Sequence, residues 1–184
     1  MKARCINREL AALKNIFNVA RKKKRCFHGD NPVESVEFFP EPTREHKILT
    51  NDEYARLVGE ADPRLRPIIQ VAVRTGLRLG DILCLEWKNI DLQRRLLRAW
   101  VSKTEAWHEQ PIGDGLANIL ASIPRLGPYV FTNPRTGTRL KDISRWWNEA
   151  KVAAGMGGLD FHFHDLRANA GTRVANEAGL FAAQ

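Results

Sequence analysis

Long apolar runs are missing from this chain. No stretch approaches the length of a membrane span, and the opening MKARCINREL has no extended apolar segment behind its positive charges, so neither a spanning helix nor a secretory signal is expected. Cysteine is scarce: Cys5, Cys26 and Cys84 are odd in number and widely scattered, which excludes a disulfide framework and a paired CxxC metal site and points to a reducing cytoplasm. Cys26 and His28 stand close together, but no second ligand pair follows at zinc-finger spacing, so no metal is expected. Internal repeats and low-complexity tracts are absent. Only two tyrosines occur, Tyr54 and Tyr129, and both fall in segments that read as core.

What is present is enough apolar material for a core, 43% of 184 residues, and an excess of 29 Lys+Arg over 21 Asp+Glu that gives a formal charge of +8. Such an excess suits a protein that meets a polyanion. Ribosomal and membrane-surface proteins are equally basic, so charge alone leaves the partner open.

The chain reads as two parts. From Asn7 to about Lys22, the residues Leu10, Leu13, Ile16, Phe17 and Ala20 recur at helical spacing and run into the cluster Arg21, Lys22, Lys23, Lys24 and Arg25. That cluster is either a solvated helix end favoured by the macrodipole or a set of phosphate contacts. Gly29, Pro32, Pro40 and Pro42 then give 27–44 the composition of a linker, which sets a boundary near residue 45.

Beyond it, Thr50 and Glu53 form an S/T-x-x-E capping box ahead of Tyr54, Leu57 and Val58. Asp62-Pro63 marks a second helix start, and Leu65, Ile68, Ile69, Ala72 and Val73 follow until Gly76 stops the run. A short helix should carry Ile82, Leu83 and Leu85 toward Trp87. A hairpin is expected next, with a strand over 96–101, a long polar tip over 102–110 and a return at Pro111-Ile112. A helix around Leu116 to Leu120, a short strand over 129–132, an amphipathic helix through Ile143, Trp146, Trp147 and Ala150, and a last helix over 165–178 complete the pattern. The fold class is mainly α with a small antiparallel β-sheet, an α+β arrangement.

Two arginines stand at turns. Arg78 lies in TGLRLGDIL just past the Gly76 stop, and Arg167 closes His164-Asp165-Leu166-Arg167. Alone, each is an ordinary surface residue, and Lys103 in Ser102-Lys103-Thr104 is an ordinary hairpin lysine. Taken together, TGLRLGDILCLEWKNIDL (75–92), the lysine turn and HDLR (164–167) resemble, in order and separation, the arginine boxes and catalytic lysine of the tyrosine recombinase, or phage integrase, family. INRELAALKNIFNVA, Asn31-Pro32 and ILTNDEYARL resemble the end of that family's core-binding domain, its linker and its first catalytic-domain helix.

The resemblance implies a division into 1–45, a remnant of the core-binding domain with its linker, and 46–184, a catalytic domain lacking its C-terminal end. It implies site-specific breaking and rejoining of double-stranded DNA at attachment-type sites through a 3′-phosphotyrosine intermediate, without a cofactor, in a bacterial or phage-encoded cytoplasmic protein. A planar guanidinium fork holds two phosphate oxygens at once and keeps its charge. Arg78 and Arg167 would therefore clamp the scissile phosphate, His164 would add a hydrogen bond, and Lys103 would protonate the leaving 5′ oxygen. Asp81, at the family's acidic position, would support the site from behind. The family's nucleophilic tyrosine has no counterpart at Tyr54 or Tyr129 and would lie past Gln184, so cleavage by this chain is not expected. Ala168-Asn169-Ala170 departs from the histidine and bulkier residues that relatives carry after HDLR. Full-length members assemble as homo-oligomers on DNA, whereas this piece is expected to be monomeric. The alternative is a non-catalytic duplex-binding remnant of an integrase.

Overall fold

The computed structural model describes residues 3–24, 26–41 and 47–177, which fall in two units, Met1–Glu45 and His46–Gln184. In the first unit, α1 (Ala3–Val19) passes into a π-helical turn, Ala20–Lys24. The expected linker has no helix or strand of its own in 26–41, yet two asparagines hold it against α1. Asn31, only 5% exposed, donates to Lys14 O at 2.9 Å and to Asn18 Oδ1 at 3.2 Å. Asn7 exchanges bonds with Phe39, donating to its carbonyl at 2.8 Å and accepting from its N–H at 2.8 Å. Phe17 meets Phe27 edge-on at 5.3 Å, while Leu13 and Ile16 stay exposed.

The second unit opens on α2 (Asn51–Glu60), whose capping box forms as expected: Thr50 Oγ1 accepts from Glu53 N, and Glu53 Oε2 accepts from Thr50 N at 2.8 Å. Next, α3 (Arg66–Thr75) begins later than Asp62-Pro63 suggests. Pro67 supplies the first-turn proline, where a missing N–H costs nothing, and Asp62 instead organises the preceding turn, its Oδ1 accepting from Arg64 N and its carbonyl from Leu65 N, both at 2.8 Å. Gly76 ends α3 in the left-handed region at φ 64°, donating to Ala72 O. Ile68, Ile69, Val71, Ala72 and Val73 are all at most 1% exposed, so α3 is apolar almost all round and forms the centre of the unit.

The short α4 (Leu79–Leu83) does not reach Leu85. Three antiparallel strands follow in spatial order, β1 (Ile90–Asp91), β2 (Leu96–Val101) and β3 (Ala106–Pro111). The hairpin differs from the expected long-tipped one: β3 starts at Ala106, and only 102–105 form the turn. Its polarity misleads because β3 is a sheet edge. Trp107 meets Trp100 edge-on at 5.7 Å, and Glu109 Oε1 accepts from Arg98 Nε at 2.8 Å, both pairs directly opposed in the register. The strand expected over 129–132 is reduced to single bridges, Glu86 with Tyr129 and Thr132 with Arg139, because Pro128 and Pro134 bracket it closely.

The unit is completed by α5 (Asp114–Ser122), α6 (Ser144–Ala153) and α7 (Leu166–Glu177), with α5 and α7 both packed on α3. Asn169, 4% exposed, ties the unit's ends together: its Oδ1 accepts from Leu49 N at 2.6 Å, and its Nδ2 donates to Lys47 O at 3.2 Å and Asp165 O at 2.8 Å. No described helix is long and apolar enough to cross a membrane.

Asp62 carries a pH-dependent share of stability. Hydrogen bonding from the Arg64 guanidinium holds its carboxyl at about 2, below the ordinary 3.8, with partial burial opposing that shift. A carboxylate depressed in the folded state stabilises fully above its unfolded pKa and loses that contribution as pH falls through the folded one. Asp62→Asn should therefore cost about 1 kcal/mol at neutral pH, given the exposure of Arg64. Urea unfolding of both proteins from pH 7 to pH 2 checks this: the difference should shrink below pH 4, and a constant one would rule the linkage out.

Candidate functional site

Arg78 caps α4 with extended backbone, φ −71° and ψ 151°, and its side chain is half-buried. The left-handed Gly76 throws the chain off α3 into this cap. A β-carbon built on Gly76 would lie 3.5 Å from the β-carbon of Ala170 on α7. The turn that carries Arg78 therefore abuts the helix that carries Arg167, which precedes Ala170 by one helical turn.

Lys103 is exposed on the turn of the β2–β3 hairpin. That turn is held on both sides. Asp81, 5% exposed in α4, accepts at Oδ1 from Ser102 N at 3.3 Å and from Ser102 Oγ at 2.9 Å. On the other side, Thr104 Oγ1 lies 3.1 Å from His108 Nε2, and Thr104 N donates to Val101 O at 3.2 Å. Glu105 closes the turn in the left-handed region at φ 50°. The lysine thus extends from a braced loop anchored to the same short helix that Arg78 caps.

His164 owes its exposure to a strand-like alternation in Phe161-His162-Phe163-His164. Both phenylalanines turn inward, where Trp147 of α6 meets Phe161 at 5.7 Å and Phe163 at 5.2 Å, so both histidines face out. Buried Asp165 fixes the next step, accepting from His162 N at 2.7 Å as the chain enters a 3-10 turn (Phe163–Asp165) and then α7. Arg167, second in α7, is exposed.

Two tethers, Gly76 against Ala170 and Asp81 to Ser102, thus converge the three segments that carry Arg78, Lys103 and Arg167. None of the Arg78, Lys103, His164 and Arg167 side chains has a hydrogen-bond or ion-pair partner among the described residues, whereas Arg64, Arg95, Arg98 and Arg145 are each paired with a carboxylate. Cationic side chains without a partner among the described residues keep their charge available to an anion from outside.

In the other unit, Arg21 lies 3.9 Å from Asp30, and Lys22 and Lys23 are exposed. The Lys24 side chain and Arg25 lie outside the described residues, as does Gln184. Of the two tyrosines, Tyr54 Oη accepts from Arg74 Nη1 at 3.4 Å within the α2–α3 packing, and the Tyr129 backbone bridges Glu86. No group of three or more His, Cys, Asp or Glu side chains among the described residues could hold a metal. The roles of Ser102 and Asn169 left no local pattern in the sequence, since their partners lie 21 and 120 residues away.

A family model described as the phage integrase family matches residues 47–180. The chain is 31% identical over 170 residues to the shufflon-specific DNA recombinase of Escherichia coli, which covers 90% of this chain and 42% of that protein. It is 29% identical over 146 residues to the integrase of Salmonella phage P22, covering 70% and 37%. These relatives are thus more than twice as long as the part this chain spans. Among solved structures, lambda integrase (residues 75–356) bound to DNA superposes with a TM-score of 0.78 at 23% identity, over 100% of this chain and 69% of that one. The lambda integrase catalytic core superposes with a TM-score of 0.62 at 26% identity, over 71% and 84%.

Proposed function

The chain belongs to the phage integrase family, and from that membership we propose that residues 46–184 grip duplex DNA at a single phosphodiester within a site-specific breaking and rejoining reaction. Arg78 and Arg167 clamp the non-bridging oxygens, His164 donates a further hydrogen bond, and Lys103 delivers a proton to the departing 5′ oxygen. Asp81 acts on Lys103 indirectly, by holding Ser102.

What carries this reading is the pair of tethers that link three cationic segments whose Arg78, Lys103 and Arg167 side chains have no counter-ion among the described residues. In-line attack on a phosphodiester builds charge on the non-bridging oxygens, and fixed guanidinium groups stabilise it without reorganising. The attacking hydroxyl comes from neither Tyr54 nor Tyr129, so residues 1–184 alone bind duplex without cutting it. Residues 1–45 belong to a core-binding domain, and Arg21, Lys22, Lys23, Lys24 and Arg25 add backbone contacts. The full-length protein is cytoplasmic and works as a homo-oligomer on attachment-type DNA sites.

Inorganic phosphate tests the clamp. The guanidinium Nε–H resonances of Arg78 and Arg167 should shift along one shared saturation curve as phosphate is added, and Lys103→Ala should leave that curve nearly in place. Two unrelated curves, or no shift at either arginine, would break the shared site apart.

A further inference from the structure

Beside the lysine turn, a half-open pocket of about 290 Å³ lies between the outer face of the hairpin and the segments around α4, Tyr129 and Arg139. Its lining includes Asp81, Arg98, Trp100, Trp107, Tyr129 and Arg139. One oxygen of Asp81 is occupied by Ser102; the other, Oδ2, is buried and accepts no hydrogen bond from the described residues. A buried carboxylate oxygen without a donor is costly, which makes it a receptor for one.

Charge decides the class of donor. Arg98 is already paired with Glu109 and sits 5.6 Å from the Trp107 ring, and Glu86 holds Lys88 at 2.7 Å. Arg139 differs: among the described residues its only polar contact is the Cys84 thiol. A cation bound at Asp81 would leave Arg139 without an acceptor and add positive charge beside it. An anion on Arg139 would leave Oδ2 without a donor. A neutral group with a donor next to an acceptor meets both needs.

Shape narrows it further. Both tryptophans line the pocket and stand 46% and 49% exposed, edge-on to each other at 70°, which leaves indole surface for a flat ring. The volume falls just below the roughly 300–1,000 Å³ that holds drug-sized ligands, room for one heterocycle and little more. We propose that this pocket takes a single unpaired nucleobase, which stacks on an indole, donates an N–H to Asp81 Oδ2 and accepts from Arg139. The proposal goes beyond the phosphate clamp and does not depend on it.

Nucleosides, which carry no phosphate, separate the two. Guanosine, adenosine, cytidine and thymidine are titrated in turn into the intact chain while the indole N–H resonances of Trp100 and Trp107 are followed. At least one nucleoside should move both signals along a single saturable curve. Asp81→Asn keeps an oxygen for Ser102 but places an amide donor where Oδ2 was, and should weaken that binding about tenfold or more. Arg139→Ala, which leaves the Asp81–Ser102 bond alone, should weaken it similarly and covers the case in which Asp81→Asn fails to fold. The proposal is overturned if no nucleoside moves the two indoles, if ribose or acetamide moves them as strongly, or if neither variant weakens the response. Failure of the phosphate titration at Arg78 and Arg167 would leave this outcome unchanged.

Discussion

Duplex DNA should leave this protein steeply as salt rises, its affinity falling about a thousandfold between 50 and 200 mM monovalent salt. Each phosphate neutralised by a fixed cation releases condensed counter-ions, so log affinity falls by about 0.9 per contact for each log unit of salt; six or more contacts give a drop of this size. On the proposed reading, the formal +8 and the cations without a carboxylate partner among the described residues would supply that number of contacts. Arg167→Ala should reduce the slope by about one unit and the affinity by about tenfold, and the double change Arg78→Ala with Arg167→Ala by about a hundredfold. Arg167→Lys restores charge without the fork, so it should recover the slope but not the whole affinity. Fluorescence anisotropy of a labelled duplex at several salt concentrations reads all four. A flat salt response would remove the duplex from the account, and an unchanged slope in the double variant would remove the clamp.

The second large effect is on the frame that aims His164. Phe161 is fully buried and packs on Trp147, which also receives Phe163, so Phe161→Ala deletes a ring from a core that cannot close over the gap. The expected cost is about 3–5 kcal/mol, a large share of the 5–15 kcal/mol that stabilises a typical domain. Phe161→Leu, which keeps most of the volume, should cost about half as much or less. Urea denaturation followed by tryptophan fluorescence measures both. A loss under about 1 kcal/mol for the alanine variant would mean that this pair does not anchor the segment.

Local signals carried much of the fold. Thr50 with Glu53 marked the start of α2, and Gly76 marked the end of α3, because a capping box and a left-handed stop depend on neighbours three or four residues away. β3 was legible only in part. Trp107-His108-Glu109-Gln110 does not alternate cleanly, since an edge strand exposes most of both its faces, and its partners Trp100 and Arg98 sit on another strand. β1, two residues long, is too short to leave a period. The candidate site residues came from the family resemblance that three motifs carry together in order and separation. What supports them was not legible: Asp81 holds Ser102 through two hydrogen bonds between distant residues, and Asn169 looked like a departure from pattern when it is the buried link to Leu49.

That link also sets an order of events during synthesis. Leu49 is made early and its amide finds its acceptor on Asn169, 120 residues later. At about 5–20 residues per second, the gap lasts about 6–24 s. Throughout that interval the face of α3 that α7 covers has no cover, and the Arg78 turn has no Ala170 to rest against. The packing of α3 is therefore completed only after α7 emerges, and a nascent chain stalled before residue 169 should present an apolar helix to chaperones in place of a half-built site.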